Sequence, residues 1–176
     1  MLIDEILNNK EIKSKEKTKL LAKALLENEI TIDMIMDYSE EAKIPIKGTY
    51  MEVLEAATSE NPKIATPKLL KFAESNLLAK APRIKWESAK VIGNIAHLFP
   101  EQLEPSIEHL LVNTSHEGTV VRWSAAYALT KIACLSRYSN SKLIGQLTEI
   151  SAAEEKASIK KIYGKALSSI QNLEES

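Results

Sequence analysis

With 176 residues, 44% of them apolar and 27% charged, the chain has the size and balance of one domain able to bury a continuous core. A net charge of −1 gives no overall pull toward nucleic acid or an anionic membrane, and one cysteine, Cys134, excludes an internal disulfide framework and fits a reducing compartment. No run approaches the ~18 uninterrupted apolar residues of a membrane span, and Asp4 and Glu5 stand where a secretory signal would be basic, so the expected location is cytoplasmic.

Five glycines, six prolines and no long alternation of β-branched with polar residues leave little from which to build sheet, so the predicted class is all-α. Residues 2 to 8 read as a short first helix. Ser14 is the expected N-cap of a second, in which Leu20, Leu21, Ala24, Leu25 and Ile30 keep the spacing of one buried face. Thr31 to Glu41 forms a third, with Ile32, Ile35 and Met36 inward; Pro45 ends the next connection and Gly48 to Ser59 forms a fourth. Thr66-Pro67 opens a fifth with a capping hydroxyl and a proline in the first turn, where a missing N–H is harmless, and Glu104-Pro105 repeats that proline 38 positions later. Each of these helices precedes a longer one. After Arg137, SRYSNS is turn material in which Ser141 is the cap of a helix from Lys142 to Ile150; Glu154 to Leu173 is the last helix, with residues 173–176 a frayed tail.

The two longer helices are copies. A shift of about 37 carries APRIKWESAKVIGNIAHLFP (81–100) onto GTVVRWSAAYALTKIACLSR (118–137), so that Ile84 meets Val121, Trp86 meets Trp123, Ala89 meets Ala126 and Ile95 meets Ile132. Weaker copies place Val53 and Leu54 under Val91 and Ile92, and Ile159 and Leu167 under Val121 and Leu129. Such a period predicts a helical solenoid, in which each unit buries its core by stacking on its neighbours. The segment HLLVNTSHEGTVVRWSAAYALTKIA resembles a HEAT repeat, whose second helix begins Val-Arg and closes on Ala-Leu and a later Ile; here these are Val121, Arg122, Ala128, Leu129 and Ile132, with Ala125 between. The earlier copy departs by having Lys85 for the arginine and Val91-Ile92 for Ala-Leu. The resemblance is strongest over residues 66–137. It implies a right-handed α-solenoid of about four to five antiparallel helix pairs over residues 1–172, with the second helix of each pair on the concave side.

On that phase Val121, Ala125, Ala128, Leu129 and Ile132 are buried, leaving Arg122, Trp123, Tyr127, Thr130 and Lys131 outside them, and Lys85, Trp86, Lys90, Gly93 and Asn94 likewise one repeat earlier. Residues 80–100 carry Lys80, Arg83, Lys85 and Lys90 against Glu87 alone, residues 118–138 carry no acid, and the last helix adds Lys156, Lys160, Lys161 and Lys165. The expected binding face is therefore basic and aromatic, built on Lys85, Trp86, Lys90, Arg122, Trp123, Tyr127 and Lys131. It suits a protein or peptide partner, an acidic one included, for a non-enzymatic scaffold. The alternative is nucleic acid, as in the HEAT-like DNA glycosylases that act on alkylated bases, although Asp4, Asp33 and Asp37 all lie far from the tryptophans and Glu87 is the sole acid on these two helices. The same tryptophans could instead pack on the preceding helices.

Little else suggests chemistry. His97 and Cys134 share a repeat position, but no second cysteine or carboxylate completes a nucleophilic or metal site, and His109 and His116 lack ligand spacing. No phosphate-binding glycine loop, HExxH, GxSxG or CxxC occurs, so no metal, small-molecule cofactor or catalytic residue is expected.

Overall fold

The computed structural model describes residues 2–176. Among them lie ten α-helices and no strand: α1 (Leu2–Asn8), α2 (Ser14–Leu26), α3 (Ile32–Glu41), α4 (Ile44–Glu60), α5 (Pro67–Asn76), α6 (Pro82–Ile95), α7 (Glu104–Asn113), α8 (Thr119–Ala133), α9 (Lys142–Ala153) and α10 (Ala157–Glu174). The chain is all-α, and no helix among the described residues is long and apolar enough to cross a membrane.

Local chemistry sets the helix starts. Thr31 and Thr66 accept hydrogen bonds from the backbone N–H of the third residue of the helices they open, each at 3.2 Å, and Ser141 accepts from Leu143 N–H at 3.3 Å. Prolines occupy the first turns of α4, α5, α6 and α7, where the ring's fixed φ matches the helix. That explains one shift from expectation: α4 begins at Ile44, with Pro45 inside its first turn, instead of at Gly48. Ser14 is the first helical residue of α2, and Lys13, with no side-chain bond, holds the cap position. Helix α10 begins at Ala157 because Glu154 remains in the link, where its carboxylate accepts the Lys156 N–H at 2.8 Å. The helix also runs through Leu173 to Glu174.

The even-numbered helices α2, α4, α6, α8 and α10 pack in series, each on the next, and each carries the helix before it in sequence as a partner. Contacts along the odd-numbered helices are lighter, joining α3 with α5 and α5 with α7. Fully buried Leu21, Met51, Leu54, Ile92, Ile95, Leu129 and Ile132 run through the even helices as one core. Helices α6 and α8 approach closely at Gly93, where a Cβ would fall 3.3 Å from Ala128 Cα. Ser88, Ser124 and Thr130 are buried with their hydroxyls donating to carbonyls of their own helix at 2.6 to 2.8 Å, so none needs a partner on another helix. Burial of Thr130, Gly93 and Asn94 differs from the expectation that they point outward. The last pair is thinner: α9 fully buries only Leu143 and Leu147, and α10 Ile159, Tyr163 and Ile170.

Candidate functional site

Helix α8 carries an aromatic stack on its surface. Trp123 and Tyr127, one turn apart, lie with ring centroids 5.7 Å apart and planes 5° from parallel, and Lys131, a further turn on, places its Nζ 5.7 Å from the Tyr127 centroid. Trp123 is 37% exposed, a large value for an indole, whereas Tyr127 is half-buried.

Tyr127 is held from below. Its ring lies over Gly93 of α6, where a Cβ would fall 2.5 Å from the tyrosine's Cε1, so only glycine leaves the seat open. Its hydroxyl donates to Asn94 Oδ1 at 2.5 Å, and Asn94 Nδ2 donates in turn to Glu55 O and Thr58 Oγ1 of α4, each at 3.2 Å. One side chain thus ties three successive even helices together. Burial, reinforced by the Glu55 charge, pushes the Tyr127 phenol up, which keeps it a donor.

Trp86 occupies the same repeat position on α6 but is half-buried, and its indole N–H donates to Glu87 Oε1 at 3.0 Å. Glu87 is buried, and its Oε2 has no hydrogen-bond partner, with only the Lys90 ammonium at 3.7 Å. Burial pushes the Glu87 carboxyl up, against the pull of Lys90 and the Trp86 N–H.

The cations of α6 and α8 are largely engaged within the chain. Lys90 Nζ lies 3.3 Å from Glu55 Oε2, and Arg83 pairs with Glu52. Arg122 Nε bonds Glu154 Oε2 at 3.1 Å, while its Nη1 donates to the carbonyls of His116 and Glu117, each at 3.1 Å. Of the seven residues expected from sequence, the structure therefore gathers Trp123, Tyr127 and Lys131 into one displayed stack. It sets Trp86 half-buried beside Glu87, and turns Lys90 and Arg122 to carboxylates of neighbouring elements. Lys85 is half-buried, with no ion pair among the described residues.

Sequence reasoning missed Glu52, Glu55 and Glu154, the acids that meet these cations. The available signal was their separation from their partners, 31 to 35 residues, close to one repeat. It also missed two recesses. One, of 270 Å³, is lined by Thr58, Asn94, His97, Tyr127 and Lys131. The other, of 590 Å³, lies at the amino-terminal end among α1, α2, α3 and α4; there Lys17 Nζ donates to Leu7 O at 2.6 Å and Tyr38 OH to Asp4 Oδ2 at 3.1 Å. His97 and Cys134 are both exposed, and among the described residues no group of three or more His, Cys, Asp or Glu side chains could hold a metal ion. No family model matches the chain, and no curated protein matches it.

Proposed function

We propose that the chain is a HEAT-like, right-handed solenoid that serves as a non-enzymatic scaffold, binding a protein or peptide through the α6–α8 part of its even-helix face. The solenoid reading is supported by serial packing of the even helices, each with its own partner, and by the duplicated helices of the sequence. The binding reading rests on one observation: the parallel Trp123–Tyr127 stack, exposed at one end and fixed by Gly93 and Asn94 at the other. A rigid aromatic pair offers contact area at little entropic cost, which is how binding hot spots are built. Nucleic acid is less well supported, since phosphate contacts need free cations in register and Arg83, Lys90 and Arg122 are paired with glutamates.

Selection of a random peptide library against the purified chain tests this. Enriched peptides should lose about thirtyfold in affinity for Trp123→Ala, the effect of removing an aromatic hot spot of about 2 kcal/mol. Enriched peptides that bind the Trp123→Ala and Tyr127→Ala variants as tightly as the parent would refute the placement. Steeply salt-dependent binding of a random DNA duplex, with no peptide enriched, would favour the nucleic-acid alternative.

A further inference from the structure

We infer, resting on that reading, that the partner is an acidic protein segment laid across the face in a fixed direction, with an aromatic or large apolar residue on the Trp123–Tyr127 stack and carboxylates on Lys160, Lys161 and Lys165 of α10. A shift of 38 residues places these lysines at the repeat positions of Arg122, Trp123 and Tyr127. All three are exposed, and the ion pairs among the described residues include none of them, in contrast to Arg83, Lys90 and Arg122. Beside the aromatic stack, exposed positive charge outside the ion pairs therefore lies on α10, with Lys131 of α8 at its edge, whereas the neighbouring cations of α6 are paired or, as Lys85, half-buried.

Toward α4 the cations are offset, Glu52 meeting Arg83 while Glu55 and Glu87 meet Lys90, so an anionic chain gains less there than on the unpaired lysines of α10. This asymmetry sets the direction. It also disfavours a nucleic acid strand, which would need cations continuing along several helices; a short acidic segment needs only one cationic end. Helices α8 and α10 pack directly. Neighbouring axes stand about 10 Å apart, so about three residues of extended chain, at about 3.3 Å each, separate the anchor from the first carboxylate.

Fluorescence anisotropy with three labelled decapeptides tests the inference. The first has a phenylalanine followed three residues later by a run of glutamates, the second has lysines for the glutamates, and the third has alanine for the phenylalanine. The first should bind at least about tenfold more tightly than either of the others and weaken as salt is raised. Lys160→Glu, Lys161→Glu and Lys165→Glu together should lower its affinity by about a hundredfold, since each exposed attraction becomes a repulsion. The triple Lys→Gln variant, with no new charge to disturb the helix, should lower it by about tenfold. Equal binding of the acidic and basic peptides, or no loss in both triple variants, overturns the inference. If the random selection meanwhile yields neutral or basic peptides that depend on Trp123, the binding face stands and only its acidic partner is refuted. Binding of a DNA duplex more tightly than the acidic peptide, with loss in the same lysine variants, overturns it in favour of nucleic acid.

Discussion

The central α6–α8 packing and the last helix pair, α9–α10, are built oppositely. On α6 and α8 several polar groups are answered inside the chain: Tyr127 by Asn94, Lys90 by Glu55 of α4, and Arg122 by Glu154 in the link before α10. Gly93, without a side chain, lets the two backbones close together at Ala128. The last pair buries fewer large side chains, leaves Leu173 72% exposed and meets solvent through its lysines. The α6 and α8 helices therefore spend polar residues on cohesion and hold an aromatic stack rigid, whereas α10 keeps its lysines exposed.

The sharpest test of that contrast is core truncation. Ile92→Ala, at the centre of α6 and fully buried, should destabilise by about 4 kcal/mol in urea unfolding, while Ile170→Ala on α10 should lose only about 2 kcal/mol because its neighbours can close over the gap. Equal losses would mean that the terminal pair is as firmly packed as the central one.

Next in size is the link between the two regions, the Arg122–Glu154 pair, which fixes α8 to the start of α10. Glu154→Gln should destabilise by about 2–3 kcal/mol at neutral pH, below the usual figure for a broken buried pair because Arg122 retains some exposure. Burial pushes the Glu154 carboxyl up, but the Lys156 N–H, the Arg122 guanidinium and its charge more than offset this and hold it below the usual range. A depressed carboxyl contributes stability above its unfolded value, and that contribution is lost as pH falls through the folded value. The gap between parent and variant should accordingly close on acidification. A gap constant from pH 7 to pH 3 would exclude an ionic role for Glu154.

Smaller still is the effect of filling the seat beneath the stack. Gly93→Ala puts a methyl group into the Tyr127 ring, so the tyrosine must leave, breaking its bond to Asn94 and its parallel contact with Trp123. A loss of about 1–2 kcal/mol with altered tryptophan fluorescence is expected, and in a Tyr127→Ala background the same change should be nearly neutral. Additive losses would show that the two residues do not share the seat.

The sequence revealed helix class, most boundaries and the duplicated tryptophans, because those signals are local: apolar spacing, threonine and serine caps, and prolines in first turns. It did not reveal which tryptophan is displayed. Trp86 and Trp123 have the same repeat position, but a glutamate follows the first and Ser124 the second, so only Trp86 finds an adjacent carboxylate. Nor is it legible from single helices which cations are paired. Counting charge helix by helix sets Arg83 and Lys90 against Glu87, whereas the acids they meet, Glu52 and Glu55, sit on the preceding even helix, more than thirty residues away. The α10 lysines, by contrast, are exposed and belong to none of the ion pairs among the described residues.

Glu87 gives the finest test of how completely the central pair satisfies itself, because it is the group there whose partners fall short. One oxygen accepts the Trp86 N–H, while the other is buried without a hydrogen bond. Burial raises this carboxyl despite the opposing pull of Lys90 and Trp86, so folding favours the protonated acid. A raised carboxyl contributes its stability below the unfolded value, and that contribution is lost as pH rises through the folded value. Glu87→Gln keeps an acceptor for the indole and removes the buried charge. It should therefore stabilise the chain at pH 7 by a few tenths to about 1 kcal/mol and lose that advantage below about pH 4, where the parent is itself neutral. A variant less stable than the parent at pH 7 would show that the Lys90 ion pair outweighs desolvation, and that the central pair is satisfied even at its most buried charge.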